Sequence, residues 1–357
     1  MLSALKMELL MRKDELKNQT VETIYFGGGT PSLLRAEDIE WLISLIKINY
    51  QVSDTAEITL EANPDDLIVK ESVTEYGQSV AERSRSQELK QAGINRLSIG
   101  IQSFFEDDLK SMNRAHNAAE AKQCLAEATK HFNNITIDLI YGIPNMSLDK
   151  WHQNLQTAFS FGVNHISAYA LTVEPKTALD TFVKKGTYPP INEELALQHF
   201  EHLIAETTKQ GFVQYEISNF GKPQFFSRHN TSYWQGKPYV GIGPSAHSFH
   251  GKTRSWNVAN NAKYLQNIQA NILPSTVETL SLKDQYNEYI MTGLRTIWGV
   301  SLNKIEQDFG AEFKSYLLKE AKPYIDNGQL MVSENKILIS GKGKFLADGI
   351  ASQLFAI

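Results

Sequence analysis

Residues 21–32 read VETIYFGGGTPS, a run of β-branched and aromatic side chains, Val21 to Phe26, that stops at three glycines, a threonine and a proline. The first part is strand-like, and the glycines let the backbone approach a ligand and offer amide donors to a carboxylate or phosphate. No Lys-Ser/Thr pair follows, which excludes a Walker loop, and a missing third glycine together with Pro31 excludes a Rossmann fingerprint. Residues 241–246, GIGPSA, match G-x-G-x-x-A by letters alone, with no convincing strand before or helix after, so a tight loop is expected there.

Strand-like runs recur at 57–62, 95–101, 134–140, 164–171 and 212–217, separated by helical patterns such as 36–48, 118–131, 148–161 and 192–210. Successive strand-then-helix units imply a parallel sheet, doubly wound or curled into a full or partial barrel. The polar residues favour the barrel. Each strand reads as apolar up to its C-terminal end, where Gly27 to Thr30, Glu61, Gln102 and Asp138 stand. In a barrel those ends form one rim, so these residues read as a shared pocket. Taken singly, Glu61 could cap the turn before Asn63-Pro64, and Asp138 could bond a neighbouring amide.

From about Leu280 the pattern turns to helices at 284–298, 302–308 and 312–327, a hairpin over 330–340 turning at Glu334-Asn335, and a last helix over 344–354. Helices plus a wing are winged-helix-like, but residues 281–357 hold nine Lys/Arg and nine Asp/Glu. That balance, with a net charge of -5 for all 357 residues, argues against nucleic acid or an anionic membrane as a partner. With 42% hydrophobic and 21% charged residues, the chain is an ordinary globular sequence rather than a disordered one. Its one cysteine, Cys124, offers neither a disulfide framework nor a set of thiolate ligands. Residues 1–17 are too charged for a signal-peptide core. Leu2, Leu5, Leu9 and Leu10 recur at helical spacing, so the chain is expected to open in a helix and, with no apolar run long enough for a membrane span, to reside in the cytoplasm.

The segments YFGGGTPS from Tyr25, LEANPDD from Leu60, NRLSIGIQSF from Asn95, NRAHN from Asn113 and DLIYGIP from Asp138 resemble, in order, motifs of the radical S-adenosylmethionine family. The branch is that of oxygen-independent coproporphyrinogen III oxidase and its heme chaperone relatives. This resemblance implies a partial (β/α) barrel over 1–279 and a mostly helical, winged-helix-like accessory domain over 280–357. It implies S-adenosylmethionine as cofactor, its methionine end held by Gly28, Gly29 and Thr30, with Glu61, Gln102, Arg114 and Asp138 completing the site. An aminoacid sulfonium with a ribose needs such a set: an Arg or amide donors, a carboxylate and a hydroxyl partner. A solvated surface arginine is the plain alternative for Arg114.

Family members also carry a CxxxCxxC loop after the first barrel strand, which binds a 4Fe-4S cluster; this sequence has none. The chain is therefore expected to lack that strand and loop and to be inactive alone as a radical enzyme. Cys124, inside the helical pattern 121–129, is expected to be a small buried hydrophobe. Residues 229–234, HNTSYW, resemble the HNxxYW motif of the heme chaperone branch, so His229 is expected to ligate heme iron while Tyr233 and Trp234 offer flat faces to the porphyrin. His247 and His250 are read as structural, and no metal site is assigned. Residues 71–86 read as an exposed insertion without a catalytic role.

Three functions are compatible with these motifs. The first, preferred on HNxxYW, is heme binding and transfer, with heme as cargo and heme-accepting proteins as partners. The second is oxidative decarboxylation of coproporphyrinogen III in porphyrin biosynthesis, and the third is a cluster-free remnant of the family.

Overall fold

The computed structural model describes residues 1–68 and 84–357. Most of the expected insertion therefore lies outside the described residues. Its end is not an exposed loop: Ser84 caps the helix Arg85–Gln91 by accepting from Gln87 N, and Ser86 is fully buried. The described residues form two compact units, one made of 24–40 and 57–227, the other of 1–23, 41–56 and 228–357.

Seven strands form the main sheet: β1 (Val21–Phe26), β2 (Val52–Ala62), β3 (Arg96–Gln102), β4 (Ile135–Tyr141), β5 (His165–Ala170), β6 (Val213–Glu216) and β7 (Asn219–Gly221). Their spatial order is β1-β2-β3-β4-β5-β7-β6, curled into a half-barrel. The β2–β3, β3–β4 and β4–β5 pairs are parallel, as the strand-helix alternation requires. The edge departs from that expectation, because β7 inserts antiparallel between β5 and β6. Glu216 holds the reversal by accepting from Ser218 N at 3.0 Å and Asn219 Nδ2 at 2.5 Å. Gly221 completes it, since a Cβ there would sit 2.9 Å from the Phe226 ring.

The strands are not apolar up to their ends, as the sequence suggested; they alternate. Leu60, Leu97, Ile99, Ile135, Ile137, Leu139 and Ile166 share the face packed under the helices and are buried. The other face carries Thr59 and Glu61 on β2, Arg96 and Ser98 on β3, Thr136 and Asp138 on β4, and His165 and Ser167 on β5, paired in register. A period of two thus separates an apolar outer face from a polar inner one. Low on that inner face, buried Arg96 donates to Asn134 Oδ1 at 2.8 Å and to Thr136 Oγ1. Thr136 Oγ1 lies 3.1 Å from His165 Nδ1, and His165 Nε2 lies 2.7 Å from the Tyr215 hydroxyl. Burial, then Arg96, drives the His165 pKa well down, so the imidazole is neutral.

Helices 118–131, 148–160 and 193–209 cover the outer face, begun by Asn117, Ser147 and Asn192 as side-chain caps. Trp151 is fully buried among them, its Nε1 donating to His199 O at 2.9 Å. Cys124 is fully buried in helix 118–131.

In the other unit, helix 2–11 and helix 261–269 enclose Glu8. This buried carboxylate accepts from Gly243 N (2.8 Å), Asn257 Nδ2 (2.6 Å) and the Tyr264 hydroxyl (2.6 Å), and pairs with Arg12. Residues 241–246 are thus a tight loop around a buried charge: Gly243 has φ +111°, and a Cβ on Gly241 would fall 2.1 Å from His247 O. Three short antiparallel strands follow, β8 (His247–Phe249), β9 (Thr253–Asn257) and β10 (Ser275–Thr279), which the sequence reading did not anticipate.

Beyond residue 280 come helices 282–294, 302–309 and 311–326 and a small sheet of β11 (Val300–Ser301), β12 (Leu330–Ser333) and β13 (Lys336–Ile339). The β12–β13 turn falls on Glu334 and Asn335, both left-handed (φ +48° and +59°), as a two-residue hairpin of this twist requires. Tyr286, Ile290, Leu294, Leu317, Ala321 and Leu354 give this part its own core. Among the described residues no helix is long and apolar enough to cross a membrane.

Candidate functional site

The rim begins with the glycine loop after β1. Gly28 and Gly29 both have positive φ (+71° and +62°), a conformation that costs glycine little and other residues more. Ser32 fastens the loop by donating to Asp66 Oδ2 at 2.6 Å, which ties the GGGTPS segment to LEANPDD. Thr30, partly buried, precedes the short helix Pro31–Leu33. Glu61 at the end of β2 accepts from Gly28 N at 3.1 Å and from the Tyr25 hydroxyl at 2.5 Å. It therefore caps no turn before Asn63; it holds the glycine loop from the neighbouring strand. Burial, then the nearby Glu61 charge, drives the Tyr25 pKa upward, so the phenol keeps its proton and remains a donor.

A second group converges over β3. The ladder shifts register between Ile99 and Gln102, and Gln102 takes φ +65°, which swings its side chain back over Gly100. A Cβ on Gly100 would stand 3.0 Å from Gln102 Nε2 and 3.3 Å from Arg114 Nη2. The glycine thus makes room for both. Arg114 is not a solvated surface arginine: it is partly buried, Nη2 donates to Asn63 Oδ1 at 3.0 Å, and the buried Nε has no hydrogen-bond partner among the described residues. A buried cationic donor left unpaired is costly, and this one suits an incoming carboxylate or hydroxyl.

Asp138 lies on β4 opposite Ser167. Burial, then repulsion from Glu61, pushes its pKa up to about 7, against the pull of the Ser167 hydrogen bond, Arg96 and Arg114. Two carboxylates with Arg114 between their influences form a site that gains from a ligand carrying cationic and hydroxyl groups. Of the seven expected residues, Gly28, Gly29 and Thr30 follow β1, Glu61 and Gln102 stand at the C-terminal ends of β2 and β3, Arg114 follows the helix Glu106–Ser111, and Asp138 sits in the middle of β4 rather than at its end. Tyr25, Asn63 and Gly100 were missed, although all three stand within the quoted motifs.

The HNxxYW residues lie in the other unit, on the helix Arg228–Trp234. His229 Nδ1 is 3.0 Å from Thr23 Oγ1, and its ring meets Tyr233 edge-on at 4.7 Å. Tyr233 is 40% exposed and stands edge-on to Tyr239 at 4.6 Å. Arg295 lies 5.4 Å over the Trp234 ring, whose buried Nε1 has no hydrogen-bond partner among the described residues. Spacing of i and i+4 puts His229 and Tyr233 on one helix face. Tyr239, five residues past Trp234, and Arg295, 61 residues past it, were not singled out in the sequence, since neither belongs to the motif.

His247 packs against Trp256, and His250 Nε2 lies 3.1 Å from Glu15 Oε2, so neither joins a metal cluster among the described residues.

Residues 5–158 match the Radical SAM superfamily, and residues 280–346 match the HemN C-terminal domain. The chain is 31% identical over 352 residues to the heme chaperone HemW of Bacillus subtilis, covering 98% of this chain and 89% of that protein. To HemW of Mycobacterium tuberculosis (strain ATCC 25618 / H37Rv) it is 31% identical over 355 residues, covering 99% and 85%. To the mitochondrial radical S-adenosyl methionine domain-containing protein 1 of Bos taurus it is 30% identical over 351 residues, covering 94% and 76%. Among solved structures, coproporphyrinogen III oxidase (HemN) from Escherichia coli superposes with a TM-score of 0.80 at 23% identity, covering 99% of this chain and 82% of that one, a likeness of fold.

Proposed function

The chain belongs to the radical SAM superfamily, in the branch that holds the HemW heme chaperones and HemN-type proteins, and from that premise we propose that it binds heme for transfer to other proteins. The observation that carries this reading is the construction around His229. With Nδ1–H donating to the Thr23 hydroxyl, the ring would take the tautomer that ligates iron through Nε2, the arrangement in which an outer partner sets tautomer and orientation. Tyr233 adds an exposed aromatic edge beside it. The buried Trp234 Nε1, under Arg295, is a donor that suits a carboxylate such as a porphyrin propionate. The accessory domain is assigned to 280–357, supported by the separate core centred on Tyr286. The cytoplasm is its assigned compartment, consistent with a single buried cysteine.

S-adenosylmethionine suits the rim. Arg114, with its unpaired Nε, would take the carboxylate or ribose hydroxyls; Gly28 and Gly29 would offer backbone groups to the methionine end. Glu61 would release the glycine loop to receive the ammonium, Gln102 would donate from its forced conformation, and ionised Asp138 would accept from a hydroxyl. When reduced by a cluster, this cofactor supplies radical chemistry. The residues of this sequence do not fit such a cluster. Cys124 is the one cysteine in it, and burial pushes that thiol up to about 12.

Heme titration followed by the Soret band tests the reading. Wild type should bind about one heme, His229→Ala should weaken binding at least tenfold and change the spectrum, and Trp234→Ala should weaken it with the spectrum kept. Unchanged affinity and spectrum in His229→Ala would overturn it.

A further inference from the structure

The helices Leu148–Ser160 and Glu193–Lys209, side by side on the outside of the half-barrel, bring three ligand atoms together away from the rim. His202 and Glu206 stand one turn apart on the second helix, and His152 reaches them from the first. His152 Nδ1 lies 3.0 Å from His202 Nε2 and 3.8 Å from Glu206 Oε2, and all three ligand atoms lie within 4.8 Å of one another. In a tetrahedral zinc site with bonds of about 2.0–2.1 Å, neighbouring ligand atoms stand about 3.3 Å apart. The measured separations straddle that value. We propose that His152, His202 and Glu206 bind one zinc-class divalent cation that staples these two helices together.

The donor chemistry selects the class. Two imidazoles and one carboxylate suit zinc, cobalt or nickel, whereas magnesium and calcium prefer all-oxygen sets. Metal ligation requires each imidazole to be unprotonated at the atom it presents, Nδ1 of His152 and Nε2 of His202. The surrounding groups orient the carboxylate. Lys209 Nζ takes Glu206 Oε1 at 2.5 Å, while Gln156 Nε2 donates to Oε2 at 3.1 Å, the oxygen that faces His152. Lys209 competes for charge but occupies the other oxygen. The His152 side chain is 43% exposed, so the ion has an entry path and water can fill the fourth position.

The test uses chelator-treated full chain and Co2+ as probe, followed by visible absorption and equilibrium dialysis, with Zn2+ as competitor. Wild type is expected to bind one cobalt with the intense d–d bands of a tetrahedral site and to lose it to zinc. His202→Ala and His152→Ala should each weaken that site at least tenfold, and zinc should raise the Tm of wild type but not of the double variant. His152→Gln, which keeps side-chain size, checks that loss of binding is not loss of folding, and His250→Ala should bind as wild type. Tetrahedral cobalt retained by the double variant, or no stoichiometric site in wild type at micromolar metal, overturns the proposal.

Discussion

Asp138→Asn should stabilise the folded chain, and by more at higher pH. Desolvation, then the Glu61 charge, pushes the wild-type carboxyl up to about 7 in the folded chain, against an ordinary 3.8. Between those values the folded state binds the extra proton, so stability is fully favourable only below about pH 4 and falls as pH rises toward 7. At 1.36 kcal/mol per unit, the change between pH 5 and pH 8 comes to about 2.5 kcal/mol, an upper figure because relaxation and water reduce such penalties. Asparagine keeps the shape and has no proton to lose. Urea unfolding of both chains at pH 5, 6, 7 and 8 should show the variant's advantage growing by about 1–2.5 kcal/mol across that range, while its calorimetric affinity for S-adenosylmethionine falls. A stability gap constant to within about 0.5 kcal/mol over the same range would refute the placement of Asp138 beside Glu61 in a desolvated site.

Gly100→Ala puts a methyl 3.0 Å from Gln102 Nε2 and 3.3 Å from Arg114 Nη2, so it should leave the unfolding midpoint nearly unchanged but weaken S-adenosylmethionine about tenfold; equal affinity by calorimetry would count against convergence at that point. Trp151→Ala removes a fully buried ring between helices and should cost about 3–5 kcal/mol in urea unfolding, with a loss under 1 kcal/mol contradicting the core assignment. Cys124, its thiol pushed up to about 12 by burial, should label with iodoacetamide at pH 8 only on unfolding; labelling of the native chain at the rate of free cysteine would show that the helix does not cover it.

Local signals in the sequence were enough for most elements. The six strands up to residue 217 and the helices 36–49, 118–131, 148–160 and 193–209 fall within a few residues of their sequence positions, apart from the earlier start of β2 at Val52. The Glu334-Asn335 turn announced itself because only residues tolerant of positive φ suit it. The alternation R-L-S-I-G-I-Q in β3 is equally legible and specifies a polar inner face along the whole strand, not at its end alone. Motif order leads to Gly28, Gly29, Thr30, Glu61, Gln102 and Arg114 at or beyond strand ends, but not to the depth of Asp138, which sits mid-strand in β4.

What sequence could not decide was which groups face one another across distant segments. The antiparallel β7 is three residues long, too short for a period to register, and its place between β5 and β6 depends on contacts from Glu216 and Phe226. The buried Glu8, 235 residues from Gly243, looks in sequence like any charge on a helix. His152 and His202 read as polar residues of two surface helices until the packing of those helices sets their ring nitrogens 3.0 Å apart. Period and propensity are properties of neighbours along the chain, so the sequence determines elements, faces and motif order by itself. Pairing, desolvation and the pKa of Asp138 depend on distances through space, and these exist only once the sheet has curled and the helices have packed.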